Sequence, residues 1–183
     1  MAIFQRNPGV RMFVPVRGAT AAAQPELEGD VAEDRLISFA AGSVTGVLQE
    51  RIVRSSVDDT LAFYYRLKEL SGPGTVREIV LSDWPVTGGS LDGDYRLDGL
   101  GEIGPQQVGC DPGNIRFQFF FDRLERPVTP AALSRFMFIK IPPPEVTSPV
   151  IVTGYTTGGR ITLGDISWSV ILPSSFIPVT ALR

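Results

Sequence analysis

Ile115-Arg116-Phe117-Gln118-Phe119-Phe120-Phe121-Asp122 sets an apolar side chain at every odd position and, Phe120 apart, a polar one at every even position. Successive side chains of an extended chain point to opposite faces, so this period of two marks a strand with one face in a core. The rhythm continues outward from it. Leu61, Phe63, Tyr65 and Leu67 alternate with Ala62, Tyr64, Arg66 and Lys68, while Val76, Glu78 and Val80 interleave with Arg77, Ile79 and Leu81. Ser71-Gly72-Pro73-Gly74 separates these two runs with turn residues. Further strands are predicted over 134–141, 150–153, 160–163 and 166–172, with Gly158-Gly159 suited to a hairpin turn. The Gly- and Asp-rich stretch 87–104 reads as loop with one short strand near Tyr95. Thr129 and Pro130 can cap and open a single helical turn, and Pro142-Pro143-Pro144 forms a stiff connector without backbone donors. About eight to ten short strands with regular turn signals predict an all-β fold, an antiparallel β-sandwich of jelly-roll-like character.

Composition agrees with that reading. Among 183 residues there are 19 Gly and 15 Pro, which leaves little room for long helices, and 43% hydrophobic against 20% charged residues is ordinary for a globular chain. The length fits one domain with a sizeable core. Residues 1–30 differ from the rest: Pro8, Pro15 and Pro25 and the run Ala19-Thr20-Ala21-Ala22-Ala23 read as an extended N-terminal arm, ahead of a β-sandwich domain over 31–183. Such an arm is disordered unless something holds it. Either it lies across its own domain or a neighbouring subunit takes it, through anchors such as Phe4, Met12 and Phe13. Its prolines make it a poor central strand, so the sandwich is expected to fold without it.

Several function classes lose their usual agents. The chain has no histidine, the side chain that most often serves as general base or metal ligand near neutral pH. Its 17 basic and 20 acidic residues are scattered through both halves, so no basic stripe offers a footprint for nucleic acid. No stretch reaches the roughly 18 to 20 apolar residues of a membrane helix, and the first residues lack the apolar run of a signal peptide. Cys110 is the single cysteine and reads as an inert thiol, because no histidine can activate it.

Candidate chemistry is sparse. Asp92-Gly93-Asp94, with Asp98 beyond, resembles the start of a calcium loop but lacks the closing bidentate Glu, and Asp and Gly are also ordinary turn residues. Asp83, Asp122 and Glu125 could supply paired carboxylates, yet no spacing singles them out. Lys68 and Lys140 are the candidates for a histidine-free nucleophilic pair, with Lys140 expected to snorkel from a strand end. Tyr64, Tyr65, Trp84, Tyr95, Phe120, Tyr155 and Trp168 could stack on a sugar or anchor an interface, though such rings more often fill a core. Phe120 and Tyr64 lie opposite their strands' apolar rows and are the favoured interface residues. No catalytic, cofactor-binding or metal-binding residue is assigned.

The order of Gly42-Ser-Val-Thr-Gly-Val-Leu-Gln-Glu, Thr60-Leu-Ala-Phe-Tyr-Tyr-Arg-Leu, Asn114-Ile-Arg-Phe-Gln-Phe and Leu133-Ser-Arg-Phe-Met-Phe-Ile-Lys is similar to β-sandwich domains of bacterial exported surface proteins, the choice-of-anchor and PEP-CTERM-like group. The resemblance spans about residues 40–172. It implies a sandwich displayed at a surface and brings no catalytic residues. Where that group carries a Ser-rich step this chain has Ile141-Pro-Pro-Pro, and with neither leader nor sorting tail an anchored form is not expected. The expected function is therefore a non-enzymatic subunit of a surface assembly, such as a virion coat or decoration layer or an extracellular appendage. It would form homo-oligomers or meet other assembly subunits, with the N-terminal arm contacting neighbours. The alternative is a secreted module that binds glycans or another ligand, and a histidine-free hydrolase comes third.

Overall fold

The computed structural model describes residues 2–5, 11–85, 90–111, 113–119, 133–143, 150–165 and 168–182. They contain twelve strands, a short 3-10 turn at Pro25–Leu27 and no α-helix. In chain order the strands are β1 (Ala2–Gln5), β2 (Met12–Pro15), β3 (Gly29–Ala41), β4 (Val44–Ser55), β5 (Leu61–Ser71), β6 (Glu78–Ser82), β7 (Ser90–Tyr95), β8 (Gln107–Asp111), β9 (Asn114–Gln118), β10 (Met137–Lys140), β11 (Val150–Gly164) and β12 (Ser169–Leu182). Sheet A runs β1-β7-β10-β5-β4-β3 and sheet B runs β12-β11-β6-β9-β8-β2. All the strand pairings are antiparallel, so the chain is an all-β sandwich as its alternation predicts.

One face of each sheet builds the core. Ile115, Phe117 and Phe119 from sheet B and Leu61, Phe63, Tyr65 and Leu67 from sheet A lie buried in a single cluster. Ile79 and Leu81 join them with no exposed surface. The inward face read from the alternation is therefore the observed one. Phe121 and the predicted helical turn at 129–133 fall largely outside the described residues.

Two local expectations are corrected. Gly158-Gly159 does not turn the chain: β11 continues through both, and the register shifts at Thr157/Gly159 and Gly159/Arg160 mark a bulge. Glycine is needed there for closeness, since a Cβ on Gly159 would lie 2.5 Å from Ile177 Cγ2. The hairpin closes further on, where Asp165 N–H donates to the Trp168 carbonyl at 2.9 Å, and β12 runs on to Leu182. Asp92-Gly93-Asp94 is likewise no turn but the middle of β7, flanked by β1 and β10. Asp and Gly are poor strand formers, yet tertiary packing overrides them because Leu91 and Tyr95 are needed on the inner face.

The described residues before β3 carry two strands, and both belong to the sandwich. β1 pairs with β7 at the edge of sheet A, β2 pairs with β8 at the edge of sheet B, and the boundary expected at residue 30 falls inside β3. Between β2 and β3 the chain crosses the outer face of sheet A. Ala19 and Leu27 there cover Val53, Ala62, Tyr64, Phe136 and Phe138 in a second apolar cluster. Of the two ways to hold the arm, the described residues show the intramolecular one.

Candidate interaction surface

The outer face of sheet A collects much of the chain's buried polarity, and the arm is tied down on it. Gly18 N–H donates to Asp94 Oδ1 at 2.8 Å, and Ala21 N–H donates to Asp98 Oδ2 at 2.8 Å. Arg96 grips Asp98 from the other side at 2.6 Å and donates to the Leu27 carbonyl at 2.9 Å. The Arg96 guanidinium, helped by the Ala21 amide, pulls the Asp98 carboxyl down to about 2 against the effect of burial. Two of the three carboxylates read as a calcium-like turn thus bind backbone amides. No group of acids or cysteine suited to a metal ion occurs among the described residues.

Lys140 departs from its expected position. Its side chain is 3% exposed, and Nζ donates to Asp58 Oδ2 at 2.7 Å instead of snorkelling to water. Burial works to raise the Asp58 carboxyl, but hydrogen bonds from Lys140, Thr60 and Ser55 prevail and hold it at about 2. Lys140 is also the cross-strand partner of Asp92, whose Oδ1 is buried with no hydrogen-bond partner. Burial raises the Asp92 carboxyl despite the lysine's attraction. Lys68 is half-buried, and Asp83 is exposed and bridged to Arg160 at 2.5 Å. The structure brings none of Lys68, Asp83 and Lys140 together, and Asp122 and Glu125 lie outside the described residues.

The aromatic rings are packing elements. Tyr64 is 3% exposed beneath the arm, with Phe138 at 5.4 Å between ring centroids, which corrects its reading as an interface residue. Its face does oppose the main apolar row, but a distant segment of the same chain covers that face. Trp84 meets Phe63 edge to face at 4.9 Å inside the core, and Tyr65 is fully buried. Tyr95, Tyr155 and Trp168 are half-buried against the main core, and Phe120 lies outside the described residues. Cys110 is buried in β8.

One internal network escaped the sequence reading. Glu50 on β4 is completely buried, bridges Arg35 at 2.5 Å, and accepts from Ser175 Oγ at 2.6 Å and from the Phe176 amide at 2.8 Å. The Arg35 guanidinium also stacks on Phe176, 4.1 Å from its ring centroid. This network ties the β3–β4 side of sheet A to β12 of sheet B. The signal was present: Glu50 interrupts the inward row Val44, Leu48 and Ile52 at a position where a core strand should carry an apolar residue.

What remains open is at the edges. Two of the four edge strands, β1 and β2, are four residues long. β12 is long but carries Pro173 and Pro178, residues that remove backbone donors from an edge. β3 has thirteen residues, no proline, and no partner beyond β4 among the described residues. Its first half is charged, through Asp30, Glu33, Asp34 and Arg35. Its second half, Leu36-Ile37-Ser38-Phe39-Ala40-Ala41, carries no charge, and Leu36 is 59% exposed. An uncharged, proline-free exposed edge is a template for another strand.

Comparison with known proteins adds no relative: no family model matches the chain, and neither a curated protein nor a solved structure matches it.

Proposed function

We propose that this chain is a non-enzymatic structural subunit whose copies join into a surface assembly, such as a coat or decoration layer of a virion or an extracellular appendage. The observation that carries the reading is the uncharged second half of β3, an open strand edge on a sandwich whose other edges are short or interrupted by proline. The ionisable groups singled out for chemistry support it: Lys140, Asp94 and Asp98 each hold the sandwich or its arm together. A glycan-binding role loses its stacking platforms, because every described candidate ring is buried or half-buried. The resemblance to exported surface-protein sandwiches belongs to the same reading. Light scattering and negative-stain electron microscopy of the full chain test it, with multimers of defined mass expected. A monomer at every accessible concentration overturns it, and selective binding on a glycan array would favour the ligand-binding alternative.

A further inference from the structure

We infer that two copies of this chain join edge to edge through β3, antiparallel and centred on Ser38, so that sheet A continues across a two-fold axis. The inference deepens the proposed assembly role and rests on it.

The argument starts from the turn. Gly42 has φ +61 and follows Ala41, whose cross-strand partner is Val44, so a two-residue hairpin joins β3 to β4. In such a hairpin the flanking pair exchanges hydrogen bonds, and bonded and non-bonded pairs then alternate along the ladder. Ala41, Phe39 and Ile37 therefore direct their backbone groups toward β4. Leu36, Ser38 and Ala40 direct theirs to the open edge, and all three side chains are exposed on the outer face. Ile37 and Phe39 pack into the core and fix the strand's register.

A second copy of the same edge satisfies these groups in one register. With Ser38 opposite the other copy's Ser38, Leu36 faces Ala40, Ile37 faces Phe39 and Arg35 faces Ala41. The donors and acceptors of Leu36, Ser38 and Ala40 then meet one another across the axis, as an isologous contact requires. No like charges oppose. A register centred on Asp34 would set two Asp34 carboxylates against each other, and repulsion between directly opposed like charges disfavours it. The charged half of β3 is also engaged within its own chain, Asp34 with Arg51 at 2.5 Å and Arg35 with Glu50 at 2.5 Å. The pairing is thus centred on the uncharged residues 36–40, the register in which Leu36, Ser38 and Ala40 all meet one another.

Ser38→Pro tests the contact in the full chain. It removes an outward N–H at the centre of the pairing and leaves the β3–β4 ladder its donors. The expected result is dimeric wild type and a variant whose dimer dissociation constant rises about tenfold or more, with a two-state thermal melt retained. Should Ser38→Pro fail to fold, Ser38→Cys in a Cys110→Ser background supplies the second reading: mild oxidation should give a covalent dimer, and Asp34→Cys in the same background should not. Wild-type association that is insensitive to Ser38→Pro, or equal cross-linking at both positions, overturns the β3 contact while leaving an assembly role standing. A strictly monomeric wild type overturns both.

Discussion

Lys140 and Asp58 meet at 2.7 Å, the ammonium 3% exposed and the carboxylate 22%, so a turn between β4 and β5 is fastened to the end of β10 by a nearly dry ion pair. Removing one partner of such a pair leaves the other buried without compensation and typically costs about 3 to 5 kcal/mol. Asp58→Asn should destabilise accordingly at pH 7. The carboxyl is held at about 2 in the fold against an ordinary 3.8, so its stabilisation is present above 3.8 and is lost as pH falls toward 2. The gap between wild type and variant in urea melts should therefore narrow across that window. A gap independent of pH would mean that the ion pair is not its source.

Asp92 behaves in the opposite sense. Burial outweighs the pull of Lys140 and raises its carboxyl, so the charged form is the unfavourable one in the fold. Asp92→Asn removes that charge while keeping the shape, and it should raise the melting temperature at pH 7. The advantage should shrink as pH falls through the raised pKa, where wild type is neutral as well. A lower melting temperature for the variant at neutral pH would show that attraction to Lys140 dominates.

Phe119 sits in the main core with no exposed surface, and its amide donates to the Arg77 carbonyl at 2.8 Å. Phe119→Ala should cost about 3 to 5 kcal/mol through lost transfer energy and the cavity left behind. Chemical denaturation of the two proteins measures the difference. A cost under about 1 kcal/mol would be too small for a filled core site.

The sheet faces were legible where one face alone meets the core. Ile115, Phe117 and Phe119 alternate with polar neighbours, and that contrast is a local property of the chain. It fails for β5, where Ala62 and Tyr64 are buried as well as Phe63 and Tyr65. The second burial comes from Ala19 and Leu27, roughly forty residues earlier in the chain, and no local period encodes a contact at that distance. Asp92 and Asp94 misled for a related reason, since their strand environment depends on β1 and β10 arriving on either side. Gly158-Gly159 permits a turn and a bulge equally, and the pairing of β11 with β12 decides between them.

Glu50 should be sensitive to truncation and tolerant of an isosteric change. Glu50→Ala strands the Ser175 hydroxyl and the Phe176 amide, with each buried unsatisfied polar group costing about 1 to 3 kcal/mol, and takes from Arg35 its ionic partner. Glu50→Gln keeps an acceptor oxygen for Ser175 and Phe176 and loses mainly the ionic bond to Arg35. Thermal melts should rank wild type above Glu50→Gln and Glu50→Ala lowest. Equal stability for all three would mean that the network does not join the sheets.

The arm gives the sharpest contrast between the two levels of reading. Sequence alone predicts that deleting residues 1–30 leaves the sandwich intact, because prolines disfavour a central strand. The fold places β1 and β2 at sheet edges, where proline is tolerated, and spreads 18–27 over an apolar face that water would otherwise reach. Deletion exposes Tyr64 and Phe138, now 3% and 0% exposed, and takes the amides of Gly18 and Ala21 from Asp94 and Asp98. Leu27→Ala isolates the apolar part of this effect and should cost about 2 to 5 kcal/mol. The truncated chain should lose its cooperative melt or melt far below the full chain, with exposed apolar surface reported by dye binding. A truncated protein as stable as the full one would restore the arm to the role of an appendage and remove it from the body of the fold.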